Sequence, residues 1–221
     1  MADTRNCERC GTLFAPRREH ARFCSAHCRA AWNRENVCDP AAEVSALEWS
    51  VTAMRDATER LPRVRASDRP RAFAMIGEAV WWVTIVDATL VRHHPDVYDS
   101  ALAGHAPAVR QLIEGTLAGL RFVRNRMGSQ VDYVDFIHPA ACHPGADDDR
   151  ITAWTWNPVP EPTVASLPPR GQAWEMTRYR AYKAHLAGRT IGEIFGRPAA
   201  FVELTAAEAT SVIDISAHAA R

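Results

Sequence analysis

Four of the chain's six cysteines stand at positions 7, 10, 24 and 28, as the pairs Cys7-x2-Cys10 and Cys24-x3-Cys28. No other feature of the 221 residues restricts its local fold so tightly. A two-residue gap turns the backbone sharply enough for two sulfurs to share one ion. Four thiolates then complete the tetrahedral shell of a structural zinc and leave no open position. One structural Zn2+ held by Cys7, Cys10, Cys24 and Cys28 is therefore expected. A disulfide scaffold would instead spread its bridges over the fold and follow a secretion signal. Met1 to Asn6 has no apolar stretch of the kind a signal peptide needs. A reducing, cytoplasmic setting is the expectation.

The residues around the cysteines agree with this reading. Gly11 follows Cys10 and permits the positive φ that such a knuckle often needs. Ser25 follows Cys24 and is a good N-cap. The spacing predicts a helix over Ala26–Arg34, with Cys28 in its first turn and Trp32 one turn on. Thr12 to Phe23 has room for a short hairpin, with Phe14 and Phe23 as a small core. His27 points about 100° away from Cys28 on a helix and is read as a surface residue. Cys38 is read as a free thiol.

This unit, residues 1–37, resembles the treble-clef fingers that begin their helix with Phe-Cys-Ser-x-x-Cys, here Phe23, Cys24, Ser25 and Cys28. The small bacterial gyrase-inhibitor zinc proteins are among them. The resemblance implies the four-cysteine ligand set. It implies less about function, because such fingers bind nucleic acid or protein, or simply hold a terminus. Arg17, Arg18 and Arg22 form a local basic tip with His20, and Arg29 lies on the helix. A phosphate contact through these and a plain solvated face are both open.

The remainder reads as mainly α: a helical bundle over 43–204, with a Pro- and Trp-rich extended arm at 139–171 and an alanine-rich tail at 205–221 expected to fray. Asn36 to Ala42 reads as a linker broken at Asp39-Pro40. Val44, Leu47, Val51, Met54 and Leu61 recur at helical spacing, so Glu43–Leu61 is a helix that Pro62 ends. Asp68 is placed to cap the next, Ala72–Val91, which is apolar nearly all round and should bury Trp81 and Trp82. Its Glu78 and Asp87 argue for a buried core helix rather than a membrane span. They are candidates to pair with Arg121 or Arg124. Pro107 opens a helix expected to reach Phe136. Gln172–Ala187 is the last long one, and Thr190–Phe201 adds a short one. Ile151 to Trp156 reads as extended, with Trp154 and Trp156 of one parity anchoring the arm.

Arg121, Arg124 and Asn125 lie on the face opposite the apolar stripe of the 107–136 helix. Arg124-Asn125 is similar to the front of the Arg-polar signature of the HEPN superfamily, all-α bundles that are often dimers and often ribonucleases. The family's histidine should follow the arginine by four to six residues. Positions 129 and 130 are Ser129 and Gln130, and no histidine occurs before His138. RNA cleavage through the 2′-OH needs proton transfer. The chain offers no convincing acid/base set for it.

Bulk charge excludes a strongly cationic protein: 26 Lys and Arg balance 26 Asp and Glu. Any nucleic-acid role must rest on a local patch. The expected function is thus binding of nucleic acid or a protein partner, with zinc structural. The alternatives are a HEPN-like ribonuclease that uses the finger to hold substrate, and a homodimeric assembly protein joined through the bundle.

Overall fold

A computed structural model describes the chain except for residues 1–3, 17–20, 37–39, 65–67, 130–135, 140–153, 166 and 220–221. The fold is mainly helical and divides into two compact units, Met1–Ala46 and Leu47–Arg221.

In the first unit, β1 (Arg5–Asn6) pairs antiparallel with β2 (Leu13–Phe14), Arg5 opposite Phe14 and Asn6 opposite Leu13. The hairpin therefore brackets the Cys7–Cys10 knuckle, whereas the sequence suggested one lying within 12–23. The knuckle itself supplies the reversal. Gly11 donates to the Cys7 carbonyl at 2.9 Å with φ near +70°, and the Cys7 N–H donates to the Thr12 carbonyl at 2.9 Å. α1 (Ala26–Asn36) starts where Ser25 predicted: its hydroxyl accepts from the Cys28 N–H at 3.1 Å.

A long helix, α2 (Pro40–Arg60), leads on, with Pro40 opening it rather than breaking the chain. Proline suits a first turn because its missing N–H would have no helical partner there. Leu61–Arg63 forms a 3-10 turn at Pro62. α3 (Arg69–His93) is capped by Asp68, which accepts from the Arg71 N–H at 3.1 Å. Pro95 then starts α4 (Pro95–Ala103), a helix not anticipated when His93-His94 is read only as an end. α4 buries Tyr98 and Leu102, one turn apart.

α5 (Pro107–Ser129) follows; the region expected to continue it to Phe136 lies outside the described residues up to 135, and Phe136 itself is not helical. Two short strands, β3 (Ile137–Pro139) and β4 (Trp154–Trp156), pair antiparallel with Ile137 opposite Trp156. α6 (Pro169–His185) and α7 (Ile191–Ala219) complete the chain.

The core lies among α3, α5, α6 and α7, with Ile76, Leu90, Leu117, Leu120, Phe122, Tyr182 and Leu186 fully buried. α3 is long and apolar enough to cross a membrane on length and composition alone. Here it packs against α5 and α7 and buries nine side chains from Ala72 to Leu90.

One face of α3 nonetheless remains open. Ala74, Glu78 and Trp81 fall on a single stripe and are exposed, Trp81 to 53%. The expectation that both tryptophans are buried is corrected: Trp82 is half-buried and Trp81 is not. Adjacent residues lie about 100° apart around a helix. Helix neighbours thus cover one of the pair more than the other.

The expected frayed tail at 205–221 is helix to Ala219. Val202, Thr205, Ala206 and Ala209 are buried at i, i+3, i+4 and i+7. Alanine lets α7 approach the core closely, so the composition that suggested fraying serves packing.

The arm is anchored as expected in its described part, with Trp154 and Trp156 both buried. The Trp156 N–H donates to the Arg189 carbonyl at 3.0 Å, and its carbonyl accepts from Gly188 at 2.8 Å. Gly188 has φ near +75°, which this return turn needs.

α5 and α6 meet closely because Gly115 and Gly119 face α6. A Cβ at Gly119 would lie 3.1 Å from the Tyr182 Cα and 2.6 Å from Leu186 Cδ1. The backbone cannot yield there, so Gly119→Val is expected to cost about 1–3 kcal/mol through overpacking. A chemical-denaturation midpoint equal to that of the parent would refute this.

Candidate metal centre and cationic face

The four cysteines converge. Cys7 and Cys10 come from the knuckle, Cys24 stands just before α1, and Cys28 lies in its first turn. Their sulfurs all lie within 4.8 Å of one another, with Cys10–Cys24 and Cys10–Cys28 at 3.7 Å and Cys24–Cys28 at 3.5 Å. A tetrahedral ion with metal–sulfur bonds of about 2.3 Å would set its sulfurs about 3.8 Å apart. The cluster could thus hold a metal ion with little movement.

The surrounding backbone favours anionic sulfur. Peptide N–H groups of Cys24, Cys10 and Arg9 hold the Cys7 thiol below its ordinary range, and Thr12 does the same for Cys10. Cys24 is pushed the other way, chiefly by its contacts with Cys28 and Cys10. A cation would remove that conflict among neighbouring sulfurs.

The knuckle is tied to the helix by a second set of contacts. Glu8 donates through its N–H to the Arg22 carbonyl at 3.1 Å. The Arg22 guanidinium grips the Glu8 carboxylate at 2.7 and 2.5 Å and sits 4.7 Å from the Trp32 ring centre, with Phe23 packed on Trp32 at 5.5 Å. Arg22, expected in the basic tip, is thus matched in charge within the finger. Arg29 is exposed on α1. Arg17 and Arg18, the rest of the tip, lie outside the described residues, as do Cys38, Cys142 and His143.

On the helical unit, Arg121 and Arg124 part ways. Asp87 is fully buried, and its carboxylate accepts from Arg121 Nε at 2.7 Å, from a second Arg121 nitrogen, and from the Tyr98 hydroxyl at 2.8 Å. Burial, then the Asp87 charge, pushes the Tyr98 phenol well above its usual range. Asp87 pairing with Arg121 accords with the sequence expectation. Glu78 instead pairs with Arg60 at 2.8 Å on the surface.

Among the described residues Arg124 hydrogen-bonds the Thr84 hydroxyl, at 3.4 Å. Burial, then the charges of Arg178 and Arg121, pushes its pKa below the usual arginine range. Arg178 on α6 is lowered by burial and by Arg121 in turn. Among the described residues neither Arg124 nor Arg178 is in an ion pair. Asn125 is half-buried on α5.

The sequence reading does not include α6 in this face. Arg170, Trp174 and Arg178 recur every four residues, one stripe of a helix, but an apolar count absorbs Trp174. The Arg170 guanidinium lies 4.9 Å from the Trp174 ring centre and that of Arg178 lies 5.8 Å away. The helices pair so that Phe122 meets Tyr179 and Arg126 bonds Glu175 at 3.0 Å, which brings Arg178 alongside Arg121 and Arg124. α5 and α6 together carry eight Arg and Lys against two Glu, in a chain whose total charge is zero.

Compared with known proteins, the chain matches no family model, no curated protein and no solved structure.

His185 sits where α6 crosses Gly115. Burial, then Arg189, holds its pKa below 6.5. A histidine depressed in the fold binds its proton more readily when unfolded. Its neutral form is therefore stability-neutral above about 6.5 and costs stability as pH falls below that value. His185→Gln should flatten the fall in melting temperature below pH 6.5. An unchanged profile would contradict the assignment.

Proposed function

We propose that this chain is a zinc-stabilised nucleic-acid-binding protein, with a structural finger and a binding face on α5 and α6. The observation that carries this reading is the pair Arg124 and Arg178, half-buried, within reach of each other's charge and of Arg121's, and in no ion pair among the described residues, with Asp87 and Glu175 offsetting only part of that repulsion. Half-buried like charges are costly to assemble. An anion brought between them would relieve that cost, and phosphate is the anion that planar guanidinium groups bind best. The four-cysteine geometry supports zinc as the metal, because thiolate ligands and tetrahedral spacing suit it. A knuckle followed by a helix that begins between the second pair of cysteines also suits the treble-clef resemblance. Thiolate ligands fit a reducing cytoplasm.

The ribonuclease alternative would need an acid and a base beside Arg124. His138 is engaged across β3–β4 with the Thr155 hydroxyl, 2.9 Å from Nε2. The HEPN-like reading therefore ranks second, and a protein-binding or dimeric role third.

The test is binding of labelled oligonucleotides by anisotropy across a salt series. Removing one arginine that neutralises a phosphate should reduce the salt slope by about 0.7–0.9. Arg124→Ala with Arg178→Ala should therefore weaken binding and flatten the slope by roughly 1.4–1.8. Absence of salt-dependent binding by the zinc-loaded parent would reject the reading.

A further inference from the structure

The same face carries an aromatic ring in a setting that distinguishes one kind of nucleic acid from another. Trp174 remains 54% exposed although two guanidinium groups lie over its ring. A tryptophan placed only for packing would turn its ring inward, as Trp156 does elsewhere in the unit, where it is fully buried against Tyr182 and Phe195. Trp174 instead stands at the centre of the Arg170–Trp174–Arg178 stripe, with cationic groups one turn before and one turn after.

The geometry suits a ladder of alternating charges and bases. Arg170 and Arg178 stand two turns apart, about 12 Å along the helix, and their guanidinium groups converge on the indole, 4.9 and 5.8 Å from its ring centre. Phosphates on either side of one unstacked base can draw these two cations off the ring and leave an indole face for that base. A duplex would present only its backbone ridge to the indole, since its bases are already stacked. Base–aromatic stacking is available to any unpaired base and is sequence-tolerant. Trp81, also 53% exposed, lies on α3 three residues before Thr84, the partner of Arg124.

We propose that the α5–α6 face binds single-stranded nucleic acid, with an unpaired base stacked on Trp174 and the neighbouring phosphates held by Arg170, Arg178 and Arg124. This inference rests on the nucleic-acid reading above and narrows it to the single strand.

The experiment uses the full zinc-loaded chain with a labelled single-stranded 12-mer, as DNA and as RNA, and a blunt DNA duplex of the same sequence. Single strand should bind at least tenfold tighter than duplex and quench tryptophan fluorescence. Trp174→Ala should weaken single-strand binding by about 5- to 150-fold, the range stacking energies imply, and weaken duplex binding much less. Trp174→Phe should recover most of the loss, since a ring remains. Thermal melts matching the parent will show that each exposed-site variant is folded. Duplex bound as tightly as single strand, or Trp174→Ala without effect, would overturn this inference while leaving the broader reading intact. No salt-dependent binding of any oligonucleotide by the parent would remove both.

Discussion

Asp87→Ala is expected to lower the unfolding free energy by about 3–5 kcal/mol, the range found when one partner of a buried ion pair is removed. The carboxylate is entirely shielded and serves three donors, two from Arg121 and the Tyr98 hydroxyl. Its removal leaves a guanidinium that is only 26% exposed, already beside Arg124, without its counter-charge. It also leaves the Tyr98 hydroxyl to find a new partner inside the unit. The pair as a whole is worth less than this loss, because desolvating both charges offsets most of their attraction. A double-mutant cycle separates the two statements. Arg121→Ala added to Asp87→Ala should cost much less than the sum of the single losses. The measurement is chemical denaturation with an unchanged slope and a shifted midpoint. A shift below about 1 kcal/mol, the range of solvent-exposed pairs, would mean that water reaches the pair.

That pair shows what can be read from residues alone. An acid in a long apolar helix must be neutralised, so a partner among Arg121 and Arg124 is legible, and the periodicity of the long helices is too. The choice between the two arginines is not, since it depends on which turn of α5 faces Asp87. Glu78 shows the same gap: it lies on the solvent stripe of α3 and answers to Arg60 instead. Trp81 escapes the sequence because mean apolarity says a helix is covered but not from how many sides. α4 escapes it because proline after two histidines reads as a stop, while it equally begins a new helix. The 205–219 segment looks weak by composition, yet its alanines repeat at core spacing, a pattern that only becomes meaningful once a neighbour is known to be close. Trp174 follows suit. Its spacing from Arg170 and Arg178 is visible in the sequence, but its exposure depends on which side of α6 meets α5.

The cysteine cluster is legible in full because metal chemistry acts at short range in sequence, and it yields the second large effect. Purified, reduced protein is expected to contain one zinc per chain, and Cys24→Ser to contain almost none. Four sulfurs within 4.8 Å, inside a unit whose described residues form two two-residue strands, the eleven-residue α1 and the start of α2, leave little else to hold the finger together. Such small units rarely supply enough apolar core by themselves. Structural zinc contributes about 10–16 kcal/mol of apparent binding energy near neutral pH, and where no site preforms that energy is folding energy. Serine cannot replace the lost thiolate. It would leave Cys10 and Cys28 facing a neutral hydroxyl. Chelation should therefore unfold the finger with loss of helical signal no greater than α1 accounts for, while the buried helices of the second unit persist. Acid should act in the same direction, because protons compete with the ion for sulfur. Refolding on return of zinc, followed by circular dichroism and by fluorescence of Trp32, would close the cycle. A zinc content near zero in metal-replete protein, or a chelated chain whose Trp32 signal does not move, would show that the sulfurs have gathered for another reason.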